Sequence, residues 1–521
     1  MGTKKLSQKI KGKLPSRSKK SGASPDIATN VSPEKRQTET TKKVWQILVY
    51  TKDLLLKKSY LWAILLLAFL ARMYRIGGIG ANGQELQNID RIFTMGDYRK
   101  WLGPDACTNL YYLLQNLWGK IFGFHSFNMR LFSVVLSLIG LYIFFKFTEE
   151  WFNRRLAYIA TFLLSISSFH ILVSRNISHE ILYPVIILGS LHLLTLAYRY
   201  KIWQYFLLSG VLLGLGFYSS EITFVLIPVF IAAGVYFYSK NRKFFTTFFK
   251  EKIIFLAAAG ICAAPFFYSV LTSPSGLFSN FTYKPSIWLG NAKDLISSII
   301  YASPQDYMYN LGTDRIFDPL IEITFLLGLT YIVMRIKRRK FYFLVVWLCI
   351  LVAAIIMKSS FSLGSFIYLT PIMFIMSGRI LIYVIDKWFK TFPFNKFARI
   401  IMVLGIGFLF ALSLSYNFQK VFLGWEKFPE RRFIYNTQPT AAEIERQKTY
   451  LYKTPYSKSV LTSVMNIKES DIETLSDAKV IENDTKSNII TSPQEIFTLQ
   501  SSVERKEFKG ANIILLKGES K

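Results

Sequence analysis

Long apolar stretches alternate with short polar ones along most of this chain, and the length of the apolar stretches is the informative quantity. A helix rising 1.5 Å per residue needs about 20 apolar residues to cross about 30 Å of hydrocarbon. Runs of that kind lie near residues 59–76, 129–148, 155–173, 179–198, 203–219, 222–239, 253–271, 317–334, 341–357, 363–385 and 398–416, about eleven predicted spans. Two longer polar connections interrupt them, 77–128 and 272–316. In the first, Leu110, Leu113, Leu114, Leu117 and Ile121 recur at helical spacing and predict a helix lying along the membrane interface. The second holds Trp288, Tyr301, Tyr307 and Tyr309, which read either as an interfacial aromatic belt or as part of a small soluble helical insert.

Both ends of the chain break this pattern. The first twenty positions hold eight Lys and Arg and no acid, so residues 1–58 are expected to be a disordered cytoplasmic tail followed by a retained signal anchor. After Tyr416 no run is long enough to span, and 417–521 is expected to fold as a small α+β domain. There TAAEIERQKTYL predicts a helix capped by Thr440, while KSVLTSVM, SNIIT, VERKEF and ANIILLKG predict strands.

Composition agrees with the spans. With 51% hydrophobic and 16% aromatic residues in 521, the chain is too apolar for an ordinary soluble enzyme and is expected to be an all-α polytopic membrane protein. The net charge of +30 falls in short clusters between apolar runs, which argues for topology signals and against nucleic acid as a partner. Short connections assigned to the cytoplasm carry nineteen Lys and Arg, whereas those assigned outside carry only Arg175 and Lys358. By that asymmetry the tail is cytoplasmic, and 77–128, 272–316 and 417–521 are external. Cys107, Cys262 and Cys349 have no metal-ligand spacing, and nothing in the sequence names a cofactor.

Candidate chemistry gathers in the segments assigned outside. Carboxylates stand at Glu85, Asp90, Asp97 and Glu180, with Arg91, Arg99, Arg130, Arg175 and His179 as cationic or titratable partners. A carboxylate can accept a proton from an attacking hydroxyl and an arginine can grip a phosphate with its planar fork, which is equipment for transfer from a phosphate-linked donor. Glu180 opens an apolar run, a costly place for an acid. Gly-rich phosphate loops, HExxH and GxSxG are all missing.

The stretches FGFHSFNMRLFSVVLSLIGLYIFF, LLSISSFHILVSRNISHEIL and GLGFYSSEITFVLIPV, together with SFIYLTPIMFIMSG, resemble the bacterial membrane glycosyltransferases of family 39 in the GT-C superfamily. The resemblance implies transfer of a hexosyl or pentosyl unit from a polyprenyl-phosphate donor, with inversion, to an external acceptor. It also implies an acidic base in the first external loop. The family's usual Asp-Glu pair is here Gln84-Glu85, so that either Glu85 or Asp90 holds the role or the chain is a degenerate relative. Arg130 and Arg175 match donor-phosphate positions, His179, Glu180 and Tyr368 match substrate-binding positions, and the arginine expected just before Tyr368 is missing. A transporter or lipid-carrier flippase and an inactive GT-C-like scaffold are the alternatives. The topology has a direct test: cysteines placed at Lys20 and Ser470 should be labelled from opposite sides of the membrane, and labelling from the same side contradicts it.

Overall fold

The computed structural model describes residues 59–78, 80–97, 106–225, 227–228, 231, 235, 249–272, 281–306, 308–425, 427–428, 434–435, 449–452, 454, 456–465, 472–475, 487–491, 506–508 and 514–517. The basic tail, most of the predicted span 222–239, Arg99, Tyr307 and the Thr440 cap lie outside the described residues.

Seven helices among the described residues are long and apolar enough to cross a membrane, and a bent pair makes an eighth. In chain order the helices are α1 (Ser59–Gly78), α2 (Gly83–Thr94), α3 (Asn109–Phe122), α4 (Ser126–Trp151), α5 (Arg154–Ile166), α6 (Ser168–Arg175) and α7 (Leu182–Tyr200). They continue with α8 (Trp203–Gly216), α9 (Phe249–Thr272), α10 (Pro285–Ile300), α11 (Pro319–Val333), α12 (Arg339–Ile356), α13 (Phe366–Thr391) and α14 (Lys396–Phe418). Of these α8 and α11 are shorter apolar helices, and α2, α3 and α10 belong to the two long connections. The chain is a multi-pass membrane protein. The end of the bundle at which α1 finishes is called here the distal end.

The run 155–173 was expected as one straight span, but it bends by 62° between α5 and α6. A break inside apolar surroundings frees backbone groups that need partners. Arg72 of α1 donates Nη1 to the Ser165 carbonyl at 3.2 Å, and Asn417 of α14 accepts the Ser168 amide at 2.7 Å. Two polar side chains from distant spans therefore make the bend affordable within the bundle.

The helix expected in the first long connection forms as α3, with Leu110 of its expected apolar face buried. Leu117, Ile121 and Phe122 are exposed, while Gln115 and Asn116 turn inward and donate to the Met129 and Ile92 carbonyls, each at 2.8 Å. Between α11, α13 and α14 runs a groove of about 950 Å³ lined by apolar side chains such as Leu327, Ile380 and Ile401, with Asp318, Ser413 and Tyr416 also on its wall.

The C-terminal region carries a five-stranded mixed sheet, with β1 (Thr449–Tyr452), β2 (Ile472–Leu475), β3 (Asn488–Thr491), β4 (Lys506–Phe508) and β5 (Ile514–Lys517) in the order β2-β1-β3-β5-β4. β1 lies parallel to β2 and β3; β5 lies antiparallel to β3 and β4. KSVLTSVM, expected as a strand, is instead helix α15 (Lys458–Met465). Its β-branched residues suggested a strand, but Val460, Leu461, Val464 and Met465 are buried at helical spacing, and that period prevails. The residues TYL, expected to end a helix, belong to strand β1.

Close packing of α8 on α9 rests on Gly210, where an added Cβ would meet the Phe255 carbonyl oxygen at 2.3 Å. Gly210→Ala should cost about 1–3 kcal/mol through overpacking, read as a lower melting temperature in detergent. An unchanged midpoint would mean that α8 and α9 can separate without loss.

Candidate active site

The distal end is organised by one buried ion pair. Asn82 caps α2 by accepting the Glu85 amide at 2.7 Å, and the Glu85 carboxylate reaches back toward the Asn82 amide at 3.4 Å, a reciprocal box that starts the helix. Arg130, in the first turns of α4, then meets Glu85 with both arms of its fork, Nε to Oε1 at 3.1 Å and Nη2 to Oε2 at 2.8 Å. The same guanidinium donates to the carbonyls of Ile76 at 3.1 Å and Gly80 at 2.6 Å, which closes the chain just after α1. The side chains of the pair are 1% and 0% exposed. In this conformation every Glu85 oxygen is occupied by donors, so a role for Glu85 as proton acceptor requires the Arg130 clasp to open.

From this clasp α2 holds the segment after α6. The Ile177 amide donates to Glu85 Oε1 at 3.1 Å, and Asn88 donates to the Ile177 carbonyl at 2.7 Å. The fixed segment presents Ser178, His179 and Glu180. Glu180 accepts from Ser178 and from the Tyr309 hydroxyl at 3.0 Å. Gly364, just before α13, lies against it so closely that a Cβ there would come within 2.8 Å of Glu180 Oε1. His179 stands between carboxylate and phenol: Nδ1 is 3.7 Å from Glu180 Oε2 and 3.3 Å from the Tyr112 hydroxyl, which itself donates to Asn88 at 2.7 Å. The side chains of His179 and Glu180 are 21% and 12% exposed, so this pair, unlike the clasp, reaches the surface.

A second ion pair lies beside the first group. Lys358 Nζ is 2.6 Å from Glu221 Oε1, and its charge stands 5.9 Å from the ring of Tyr368, whose hydroxyl accepts from Ser220 at 3.0 Å. Burial alone would push the Glu221 carboxyl up, but Lys358, with help from His179, holds it below the ordinary range. Burial and the charges of Glu180 and Asp306 push the Tyr309 phenol well above its ordinary value, so it stays a donor to Glu180. Among the described residues no group of three or more His, Cys, Asp or Glu side chains could hold a metal ion.

The residues expected from the sequence therefore separate into four sets. Glu85 and Arg130 bind each other. His179 and Glu180, and Tyr368 beside Lys358, lie in the polar cluster at the distal end, called here the chamber. Arg175 is 2% exposed, donates to the Tyr74 carbonyl at 2.8 Å and lies over the Phe422 ring, so it ties α1 to the turn after α14. Asp90 is half-buried two positions from Asn88, and residues two apart on a helix do not share a face. Gln84 and Arg91, in contrast, flank Asn88 at helical spacing, and Arg91 lies 5.9 Å over the Tyr112 ring. The position expected to carry arginine before Tyr368 is the buried Ile367. Sequence reading left Tyr112, Glu221, Asp306 and Lys358 without a role. Glu221 opens an apolar run as Glu180 does and could have been found by that signal; Tyr309, read as a belt or insert residue, is buried against Glu180.

A family model described as dolichyl-phosphate-mannose-protein mannosyltransferase matches residues 109–269, the stretch from α3 into α9. The crystal structure of ArnT from Cupriavidus metallidurans bound to undecaprenyl phosphate is similar with a TM-score of 0.60 at 11% identity, covering 88% of this chain and 98% of that one. The chain has the GT-C fold. The apo state of the same ArnT is similar to this chain with a TM-score of 0.55 at 12% identity over the same shares. No curated protein matches it by sequence.

The chamber also fixes a pH response. Burial, with Glu180 nearby, pushes Asp306 up to about 6. A carboxyl raised on folding contributes stability that is fully present below its unfolded value and lost as pH rises through its folded one. Melting temperatures of the wild type should therefore fall between about pH 4 and 6 more steeply than those of Asp306→Asn; parallel profiles would remove Asp306 as the cause.

Proposed function

We propose that this GT-C chain is a glycosyltransferase that moves one hexosyl or pentosyl unit, with inversion, from a polyprenyl phosphate to an acceptor on the external side of the membrane. The observation that carries the reading is His179, a partly exposed imidazole set between a carboxylate and a phenol at the distal end of a membrane bundle. The acceptor hydroxyl attacks the anomeric carbon while the bond from that carbon to the phosphate oxygen breaks. The carrier phosphate leaves with the electron pair, and the hydroxyl proton needs a base. With Nδ1 turned toward Glu180 and Tyr112, His179 keeps Nε2 for that proton, and Glu180 orients and balances the imidazolium as it forms.

In this reading Glu85 and Arg130 hold the rim in shape, Arg175 ties α1 to the turn after α14, and Asp90 has no part in the proton transfer. The apolar groove between α11, α13 and α14 offers room for part of a polyprenyl chain. A transporter would be expected to place its polar site among interrupted spans near the bilayer midplane, whereas the partly exposed ion pairs described above lie at the distal end.

The test is release of carrier phosphate by purified protein incubated with a panel of polyprenyl-phosphate sugars. His179→Gln should lower turnover by about 10² to 10⁴ with donor binding kept. Loss in Glu85→Gln together with full activity in His179→Gln moves the base to Glu85. Gln84→Asp should preserve or raise turnover, because it adds an acid on the face shared with Asn88. No release from any donor, in wild type and Gln84→Asp alike, would favour the inactive scaffold.

A further inference from the structure

The chamber needs a cation for the donor's phosphate, and the side chains differ in whether they can supply one. Arg130 spends its fork on Glu85 and two carbonyls at 1% exposure, and Arg175 is 2% exposed between the Tyr74 carbonyl and an aromatic ring. Lys358 is different in three respects. Its side chain is 15% exposed. Its ammonium has three hydrogens, of which one is directed to Glu221 at 2.6 Å, while the next acceptor among the described residues, the Ser365 hydroxyl, is at 3.5 Å.

Its backbone is also held from outside the spans. Asn291 of α10 donates to the carbonyls of both Ile356, at 2.9 Å, and Lys358, at 2.7 Å. Thr282 donates its amide to the Met357 carbonyl at 2.9 Å, and Phe281 pairs with Lys358 as an antiparallel bridge. A lysine with a mobile head on a pinned backbone can turn toward an arriving anion without rebuilding its support. Tyr368, whose hydroxyl accepts from Ser220, has its ring 5.9 Å from the ammonium, and the charges of His179 and Glu180 reach Glu221 and Tyr368.

Building on the transferase reading, we propose that Lys358 is the cation that meets the donor phosphate, exchanging Glu221 for the phosphate when the lipid carrier arrives. Glu221 is then the internal stand-in for the ligand: it keeps the ammonium in place and charged until a better anion displaces it. Removal of Glu221's charge and removal of Lys358's charge should consequently have opposite effects on phosphate binding. A pair that merely braces the fold would show no such opposition.

The experiment measures binding of undecaprenyl phosphate and of undecaprenol to the purified full chain in nanodiscs of neutral lipid. Lys358→Gln should weaken binding of the phosphate about ten- to hundredfold, the range for a lost charged hydrogen bond, with little change toward undecaprenol. Lys358→Arg should stay within a few-fold of wild type, and Glu221→Gln should bind the phosphate more tightly than wild type. Since Lys358→Gln leaves a buried carboxylate alone and can fail to fold, Lys358→Gln with Glu221→Gln is the matched neutral pair, and it should show the same loss. Wild-type affinity in that double variant overturns the assignment, as does weaker binding in Glu221→Gln. Equal competition by phosphatidylglycerol also overturns it and makes Lys358 a headgroup anchor. If the wild type fails to distinguish undecaprenyl phosphate from undecaprenol, the transferase reading itself fails, separately from Lys358.

Discussion

The distal end of the molecule depends on the ion pair between Glu85 and Arg130. Burying two charges is expensive, and their mutual attraction compensates only when the remaining donors and acceptors are also satisfied. Here they are satisfied by the backbone the pair must hold: the carbonyls of Ile76 at the end of α1 and Gly80 just after it, the amide of Ile177 after α6, and the amide of Asn82 at the start of α2. Three stretches of chain that are distant in sequence, residues 76–85, Arg130 and Ile177, thus share one electrostatic knot. Because α2 holds Ile177 by both its amide and its carbonyl, His179 and Glu180, two and three residues on, inherit their position from a pair that does not face the chamber.

The same economy governs the interior. An apolar bundle accepts a broken helix only if other side chains serve the freed backbone groups. Arg72 and Asn417 do so at the bend between α5 and α6, and that bend sets the direction in which α6 delivers Arg175 and the segment 176–181 to the distal end. Polar residues inside the spans are therefore as much a part of the site's geometry as those in the chamber. Arg72 is not recognisable as such a residue in the sequence, since besides the Ala68 carbonyl one turn back its partners, the Ser165 carbonyl and the His170 imidazole, lie far along the chain.

Most of the membrane architecture was legible from the sequence, because the length of an apolar run is a local property and the hydrocarbon thickness it must match is fixed. What escaped were features set by contact across the chain. The bend at Ser167 needs Arg72 and Asn417, 95 and 250 positions away in sequence, and nothing in the run 155–173 announces it. KSVLTSVM shows the limit of propensity: its β-branched content suggests a strand, but a buried face at helical spacing decides for a helix. In the site, Glu85, Arg130, His179 and Glu180 could be named from their residue types and positions, yet the partner of each could not. Glu85 and Arg130 are 45 residues apart, and the sequence leaves open whether they face a substrate or each other.

Exposure sorts these charges by the work they can do. A charged group closed off from water on every side contributes to shape, because any ligand must first break its internal bonds; a charged group at the rim with unused hydrogen-bonding capacity can exchange partners at modest cost. By this criterion the clasp of Glu85 and Arg130 belongs to the scaffold, while His179 with Glu180 and Lys358 with Glu221 form two exchangeable pairs at the same rim. Under the transferase proposal a lipid-linked sugar imposes the same division. Its chain must stay in an apolar groove, its phosphate must meet a cation without deep burial, and its sugar must lie where an acceptor hydroxyl can approach. Gln84 is exposed on the helix face that carries Asn88 and Arg91, so an amide occupies a place where the fold would readily accept an acid. With that position neutral and Glu85 locked to Arg130, the proposed role of base falls to His179, whose side chain is 21% exposed and whose Nδ1 is turned toward Glu180 and Tyr112.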